Sequence, residues 1–190
     1  SRQVYTRGIA TNSIVGFILG LGDRHLNNVL IDKRTGEPIH IDLGVAFDQG
    51  KLLPVPELVP FRLTRDIVDG LGITGVEGSF KKGSEHVYRV LRLNVEKILG
   101  ILNVLKYDPL YSWAISPVRK KRLQETENDN VSSKSNVEDD GSDAVRAVQG
   151  VEAKLNANGL SDEASVQELI QEATDYKNLG VIYLGWTPFY

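Results

Sequence analysis

The most constraining feature of the sequence is a polar loop that lies between an apolar helix and a short hairpin. Residues 9–21 are apolar at helical spacing, whereas residues 29–31 and 38–41 form two β-rich runs joined by the turn sequence KRTG. The pattern predicts a helix, then the loop GLGDRHLNN at residues 20–28, then two short antiparallel strands. Because a hairpin returns the chain on itself, we expect Asn28, before the first strand, to approach Asp42, after the second.

Three oxygen-bearing side chains are associated with this hairpin. Asp23 lies in the glycine-flanked loop, and Asn28 and Asp42 lie where the strands begin and end. Phosphoryl transfer requires one carboxylate that accepts the proton of the attacking hydroxyl, and an amide oxygen and a second carboxylate that hold the magnesium ion. We therefore assign Asp23 as the catalytic base and Asn28 and Asp42 as ligands of Mg²⁺ and, through it, of ATP. His25 is placed to hydrogen-bond the transferring phosphoryl group or to help shuttle the proton.

Each of these side chains, taken alone, has a simpler interpretation. A single Asp in a loop is most often a turn or cap residue. The joint pattern is far more specific, because DRHLNN, a hairpin, IDLG and a proline-bearing loop follow one another in this order. The combination therefore favours a catalytic site over a set of structural turns.

Composition narrows the chemistry further. The chain has no cysteine, which excludes disulfides, thiolate zinc sites and cysteine nucleophiles, and its three histidines argue against a zinc site built from histidine alone. No apolar run reaches the roughly 18 residues that cross a bilayer. We also expect no direct membrane contact. The chain contains no methionine and begins at Ser1. We interpret this as a sign that it is a piece of a longer protein.

Charge is divided unevenly along the chain. Residues 1–123 carry a net charge of +6 and residues 124–190 a net charge of −9. The acidic segment 124–143 is almost free of apolar residues, which predicts a linker or a poorly ordered insert. The basic run at 119–122 precedes it. A localisation signal and a nucleic-acid patch remain open for this run, but a solvated helix end is the favoured interpretation.

The remaining segments are predicted as helices and loops. Helices are predicted at residues 64–71, 84–105 with Ser84 as the N-cap, 144–156 and 164–176, and a long loop with three prolines at residues 42–62. The segment GLGITG at residues 70–75 matches the pattern G-x-G-x-x-G. Because it follows a predicted helix instead of a strand, we interpret it as a turn-rich connection and not as a nucleotide-binding loop.

Three segments resemble a known kinase family. GLGDRHLNNVLID (residues 20–32), the run from His40 to Phe80 and the ending GWTPFY resemble the phosphatidylinositol 3-kinase-related protein kinases, in particular their ataxia-telangiectasia-mutated and fungal Tel-type branch. The catalytic loop of that family reads D-R-H-x-x-N and its metal motif reads D-x-G. The resemblance covers about 1–118 and 158–190, and it does not usefully cover the acidic segment.

The resemblance implies a fold and a domain organisation. The expected fold class is α+β and mostly helical, with a protein-kinase-like C-terminal lobe that has a small β-hairpin at its active site. Residues 1–118 would form this lobe, 119–157 a helical regulatory segment with the acidic linker, and 158–190 a FATC domain. An N-terminal lobe would lie upstream, so the chain alone is expected to be inactive.

The resemblance also implies roles for individual residues. Asp23 would be the base, His25 a second catalytic residue near the γ-phosphate, and Asn28 and Asp42 the magnesium and ATP ligands. The stretch from Asp42 to about Phe61 would form the activation loop that receives the substrate, with marker positions at Asp42, Gly44, Phe47, Lys51, Pro60 and Phe61.

The substrate class follows from the resemblance and from the composition of this loop. The family phosphorylates Ser or Thr followed by Gln in DNA-damage and telomere signalling. A lipid kinase of the same superfamily needs several basic groups in the loop to hold an anionic head group, whereas residues 43–61 contain only Lys51. A protein substrate is therefore expected, with a lipid kinase and a non-catalytic pseudokinase scaffold as alternatives.

The resemblance implies partners as well. They are protein substrates with Ser/Thr-Gln sites, the upstream N-lobe and FAT or helical-repeat regions of the same chain, a second copy in a homodimer, and a DNA-end sensor complex. Contact with DNA would be indirect, and the location nuclear. The aromatic tail at residues 183–190 is expected to dock on the kinase lobe, since large aromatic side chains need a packing surface.

Overall fold

The computed structural model describes residues 2–105, 140–156 and 159–186. The described residues form one two-stranded sheet, β1 (Val29–Ile31) and β2 (Pro38–His40), and a series of helices. The α-helices are α1 (Arg2–Leu19), α2 (Arg65–Leu71), α3 (Ser79–Leu93), α4 (Val95–Leu105), α5 (Asp140–Leu155), α6 (Asp162–Thr174) and α7 (Tyr176–Gly180). Short 3₁₀ turns occur at Leu26–Asn28, Gln49–Leu52, Gly75–Glu77 and Leu184–Trp186.

Helix α1 forms the centre of the lobe and ends two residues earlier than its apolar pattern predicts. Gly20 takes a left-handed conformation with φ +60°, and its N–H donates to the Phe17 carbonyl at 3.0 Å. The Leu21 N–H donates to the Gly16 carbonyl at 2.8 Å. This pair of bonds is a Schellman ending, which glycine favours because it lacks a Cβ. The polar loop therefore leaves the helix at Gly20.

The hairpin has the predicted position and pairing. β1 and β2 are antiparallel, and Val29 lies opposite His40. The turn is closed by Asp32, whose carboxylate accepts the N–H groups of Arg34 at 2.7 Å and Thr35 at 2.9 Å. Beyond the last paired residues, the Ile41 N–H donates to the Asn28 carbonyl at 3.1 Å. The expected approach of Asn28 to the end of β2 is therefore present.

The helix predicted at residues 84–105 is wrong as a single element. The structure has α3 from Ser79 and α4 from Val95, with Asn94 between them. The Asn94 side chain donates to the Val90 carbonyl at 2.8 Å, while its own carbonyl accepts the Lys97 and Ile98 N–H groups at 3.1 Å. Asn94 thus ends one helix and begins the next. Ser84, the predicted N-cap, is instead fully buried inside α3.

One hydrophobic core joins the lobe to the segments after residue 140. Its buried side chains come from α1 (Ile14), α3 (Phe80), α5 (Val151) and α6 (Val166, Ile170). Ion pairs add to this packing, since Arg89 and Arg92 of α3 lie 3.1 and 2.9 Å from the Asp162 carboxylate at the start of α6. Helices α5 and α6 are therefore built into the same folded unit as the catalytic loop.

Three further expectations can be compared with the structure. The acidic segment 124–143 lies outside the described residues except for 140–143, which are already helical in α5 and so correct the predicted end of the linker. The G-x-G-x-x-G segment does connect α2 to a 3₁₀ turn, with Gly72 at φ +95° and Gly75 at φ +48°, which confirms the turn interpretation.

Within the described ranges, no helix combines the length and apolarity that a membrane crossing requires.

Candidate active site

Asp23 lies in a strained backbone conformation that is held by a buried glutamate. Its φ is +58°, a left-handed value that non-glycine residues adopt rarely. Its N–H donates to both carboxylate oxygens of Glu57, at 2.8 and 3.0 Å. The side chain of Asp23 remains 37% exposed. The predicted base is therefore fixed through its backbone while its carboxylate stays accessible to a substrate.

Two further predicted site residues of the loop, His25 and Asn28, lie beside Asp23. His25 Nε2 lies 3.9 Å from Asp23 Oδ1, and His25 Nδ1 accepts the Asn27 N–H at 3.2 Å. The second bond assigns the proton of the neutral imidazole to Nε2, which faces the carboxylate. The buried Asn28 donates its amide to the Asp23 carbonyl at 2.8 Å and lies 3.5 Å from Asp23 Oδ2. The loop thus brings together both predicted catalytic residues and one of the two predicted metal ligands.

Asp42 lies two residues beyond the end of β2. Its φ is +52°, its side chain is exposed, and its Oδ1 accepts the Gly44 N–H at 3.2 Å. The Ile41–Asn28 bond places Asp42 one residue beyond the point where the two strand ends meet. The structure therefore places both predicted metal ligands at the same end of the hairpin.

Left-handed backbone is concentrated in this region. The described residues contain four non-glycine positions with positive φ, and all lie between residues 23 and 48: Asp23, Asp42, Phe47 and Asp48. Such conformations cost on the order of 1 kcal/mol or more each and persist where surrounding contacts impose them. Their clustering in the predicted catalytic and activation loops is an independent indication of a functional site.

The donor set at the hairpin end fits a magnesium ion. Asn28 and Asp42 offer an amide oxygen and a carboxylate, the hard ligands that magnesium prefers, and the amide nitrogen of Asn28 is already turned toward Asp23. Among the described residues, no group of three or more His, Cys, Asp or Glu side chains converges on a metal position. A site with one carboxylate and one amide suits magnesium, which is usually held by one or two protein carboxylates together with substrate phosphates.

Arg24 is a buried residue at the site to which the sequence analysis assigned no role. It is only 2% exposed, and its guanidinium donates to backbone carbonyls: to Gly22 at 2.7 Å, to Ile41 at 2.8 Å and to Asp42. Burial lowers its pKa from the usual value, while the carboxylates of Asp23, Glu57 and Asp42 oppose that shift. Its place between Asp23 and His25 in the catalytic loop was the signal that could have identified it.

Glu57 is a second residue that was missed. Its carboxylate lies in a slot between two glycines, because a Cβ added at Gly22 would come within 2.5 Å of Glu57 Oε2 and one at Gly50 would come even nearer. Burial raises the pKa of Glu57, and the hydrogen bonds from the Asp23 N–H and the Trp186 side chain act in the opposite direction. A buried glutamate in an otherwise apolar loop gave no periodic signal in the sequence.

The predicted activation loop is ordered and packed onto α1. The Phe47 N–H donates to the Leu19 carbonyl at 2.8 Å, and the Asp48 N–H donates to the Gly20 carbonyl at 3.0 Å. Phe61 is buried in the hydrophobic core, and the partly buried Phe47 packs against that core. Gly44 is exposed near Asp42.

A cleft of about 140 Å³ opens beside the activation loop. Its lining includes Lys51 and Pro60 from the predicted marker positions, together with the acidic residues Asp48, Glu57 and Glu172. Lys51 is 66% exposed and lies 3.5 Å from Asp48 Oδ1. The cleft therefore carries more negative than positive side chains. Of the marker positions, Lys51 and Pro60 face this cleft, whereas Phe61 belongs to the core.

The tail docks directly against the site. Trp186 is 2% exposed, and its indole N–H donates to the Glu57 carboxylate. Its carbonyl accepts from Arg62 Nη1 at 2.8 Å, and the Arg62 guanidinium lies 5.5 Å from the centre of its ring. The same Arg62 nitrogen lies 3.5 Å from the Arg24 carbonyl. The expected docking is thus confirmed for Trp186, whereas residues 187–190 lie outside the described part.

Comparisons with known proteins identify relatives of both parts of the chain. Residues 1–115 match the family model "Phosphatidylinositol 3- and 4-kinase", and residues 159–190 match "FATC domain". The curated relative "Serine/threonine-protein kinase TEL1" of Saccharomyces cerevisiae is 61% identical over 198 residues, which include all of this chain and 7% of the relative. This chain therefore spans a small fraction of that relative's length.

Solved structures agree with these matches. The structure "FAT and kinase domain of CtTel1" superposes with a TM-score of 0.84 at 49% identity, over all of this chain and 12% of that one. The structure "Complete CtTel1 dimer with C2 symmetry" gives the same TM-score and identity over 6% of its chain. The mostly helical kinase fold with a small hairpin is therefore confirmed.

Proposed function

This chain belongs to the phosphatidylinositol 3- and 4-kinase family, and on that premise we propose that it supplies the catalytic C-terminal part of a serine/threonine protein kinase of the Tel type. The observation that carries the proposal is the convergence of Asp23, His25 and Asn28, with Asp42 at the same end of the hairpin. The name of the yeast relative supports the assignment to protein kinases.

The residues of this site would divide the reaction between them. The exposed carboxylate of Asp23 orients the substrate hydroxyl and accepts its proton as the oxygen attacks the γ-phosphate of ATP. The Nε2–H of His25 is positioned to donate a hydrogen bond to the transferring phosphoryl group. Asn28 and Asp42 would hold magnesium, which supplies neutralising charge for the phosphates when it is bound.

A protein substrate suits the cleft better than a lipid head group does. An inositol phosphate requires several cationic donors, whereas the cleft beside the activation loop offers Lys51 among Asp48, Glu57 and Glu172. An extended peptide can dock on such a surface without bringing a large negative charge. A lipid kinase is the second candidate, favoured only by the wording of the family model.

The finer assignments are part of the same proposal. We infer that the substrates carry Ser-Gln or Thr-Gln sites in nuclear DNA-damage and telomere signalling, that a DNA-end sensor complex recruits the kinase, and that it acts as a homodimer. The name of the yeast relative supports a protein substrate, and the solved Tel1 dimer supports the homodimer. The Ser/Thr-Gln sites, the signalling role, the sensor complex and the nuclear location rest on the resemblance of the catalytic-loop and metal motifs alone. Residues 1–118, 119–157 and 158–190 are proposed as kinase lobe, regulatory segment and FATC domain.

The test is an Asp23→Asn substitution in the full-length protein, assayed with Mg²⁺-ATP and a Ser-Gln peptide. Loss of a positioned base typically costs on the order of 100-fold or more in turnover, while the backbone bond to Glu57 is retained. Asp69→Asn in α2 is the matched control. The Asp69 side chain is 72% exposed, so this change should leave turnover unaltered. Normal turnover of the Asp23 variant would refute the base assignment, and preference for phosphatidylinositol vesicles would favour the lipid kinase.

A further inference from the structure

Arg24 carries a positive charge that is almost completely removed from solvent. Within the described residues, no carboxylate lies within 4.0 Å of its guanidinium as an ion-pair partner, and its hydrogen bonds all go to backbone carbonyls. Removing a guanidinium from water without a carboxylate in direct contact is costly, and an apolar side chain at this position would avoid that cost. The arrangement therefore calls for a role that an apolar residue cannot perform.

The geometry of the contacts indicates that role. Nε donates to the Gly22 carbonyl, immediately before Asp23, and Nη1 donates to the Ile41 carbonyl and lies 3.5 Å from that of Asn28. Nη2 donates to the Asp42 carbonyl. One planar group thus connects the backbone of the base to the backbones of both predicted metal ligands.

Asp42 depends on this connection more than Asn28 does. Asn28 lies in a 3₁₀ turn and is bonded to Ile41 across the hairpin and to Asp23 through its side chain. Asp42 lies beyond the last cross-strand bond, in a left-handed conformation with an exposed side chain. In the described structure the Arg24 guanidinium is the group that joins the Asp42 backbone to the catalytic loop.

We propose that Arg24 is a positioning residue that sets the separation of Asn28 and Asp42, and thereby the affinity of the site for a divalent cation bound with nucleotide. The proposal rests on the proposed kinase function. A lysine cannot replace Arg24, because its single ammonium lacks the planar fork that reaches several carbonyls in fixed directions. Groups that orient metal ligands typically change metal affinity by about 10–100-fold when they are altered.

The test compares Arg24→Lys with the wild type in the full-length protein. Binding of Mn²⁺ is measured by electron paramagnetic resonance in the presence of a non-hydrolysable ATP analogue, and the Mg²⁺ concentration for half-maximal activity is measured in parallel. We expect Mn²⁺ affinity to fall about tenfold, with the Mg²⁺ requirement rising by a similar factor. Arg92→Lys is the matched control, since Arg92 also bonds a backbone carbonyl and is partly buried but lies on α3.

Each outcome separates the two ideas. If wild-type protein binds no Mn²⁺ with the nucleotide analogue, the proposed function fails. If the wild type binds and Arg24→Lys binds equally well, the positioning role alone is overturned, whatever the activity. A purely structural role would lower thermal stability in Arg24→Lys and Arg92→Lys alike without a selective loss of Mn²⁺ affinity. If Arg24→Lys fails to fold, Mn²⁺ binding is measured on Arg24→Gln instead. Misfolding of both variants would also overturn the proposal.

Discussion

Lys154 Nζ in α5 lies 2.7 Å from Asp48 Oδ2 in the activation loop, and it also donates to the Phe17 carbonyl of α1 at 2.9 Å. The Lys154 side chain is 15% exposed, and its ammonium lies 5.1 Å from the centre of the Phe17 ring. Lys154 therefore joins α5 to a turn within the predicted activation loop. Asp48 is held there in a left-handed conformation.

Breaking this ion pair should loosen the activation loop. We expect Lys154→Met in the full-length kinase to lower kcat/KM about threefold to tenfold, because the partly buried Asp48 carboxylate loses the closer and more buried of its two lysine partners and keeps only the exposed Lys51. A double-mutant cycle with Asp48→Asn measures the coupling, which we expect to be on the order of 1 kcal/mol or more. Lys177→Met, on a short helix of the tail, is the control. Strictly additive effects would show that the pair does not act as a unit.

The contact of Trp186 with Glu57 and Arg62 predicts that a substitution in the tail lowers kinase activity. Trp186→Phe removes the indole N–H that Glu57 accepts and reduces the stacking on Arg62. We expect kcat to fall about tenfold. Leaving a buried carboxylate with one hydrogen bond fewer costs about 1–3 kcal/mol of free energy. Tyr183→Phe, at a residue that is 59% exposed, is the control and should leave kcat unchanged. An unchanged kcat in Trp186→Phe would separate the tail from the chemistry.

The raised pKa of Glu57 makes the local stability of its loop depend on pH. Because the folded state holds the proton more tightly than the unfolded chain, stability is fully present below the ordinary glutamate pKa and is lost as pH rises through the raised value. Hydrogen exchange of residues 49–60, corrected for intrinsic rates, should therefore slow as pH is lowered toward that ordinary value. Glu57→Gln should abolish this trend, and an equal trend in the variant would assign it elsewhere.

The glycine slot around Glu57 predicts an unusual sensitivity at Gly22. A methyl group there would come within 2.5 Å of Glu57 Oε2 and 3.0 Å of Val45 Cγ1. We expect Gly22→Ala to displace the carboxylate from the Asp23 N–H and to lower turnover by about 100-fold, an effect comparable to losing the positioned base. Gly100→Ala, where a Cβ meets nothing within 4 Å, is the control and should retain activity. Comparable activity in the two variants would contradict the slot.

The sequence predicts the hairpin and the polar residues that flank it because both depend on local signals. Strand propensity, turn residues and the joint D-R-H-x-x-N and D-x-G pattern lie within short segments. The break at Asn94 was missed because both sides are good helix formers and the decisive contact is one side chain bonded to the Val90 carbonyl. The close approach of Gly83 to Ala10 is likewise a tertiary effect.

Supporting residues of the site are harder to read from the sequence. Arg24 and Glu57 act through backbone groups that come together only after the chain has folded, since Glu57 is bonded to Asp23 across 34 positions. The contact of Arg62 with Trp186 spans 124 positions. No local propensity encodes such pairs, so sequence reasoning proposes the groups that would react and misses the residues that hold them in place.

The Schellman ending of α1 has a consequence for the evolution of this chain. The carbonyls of Leu19 and Gly20 accept the N–H groups of Phe47 and Asp48. A single inserted residue in the last turn would rotate these carbonyls by about 100° around the helix axis, and the activation loop would lose both acceptors. The length of α1 before Gly20 is therefore fixed by a segment almost thirty residues away, and insertions or deletions should be tolerated elsewhere before they are tolerated there.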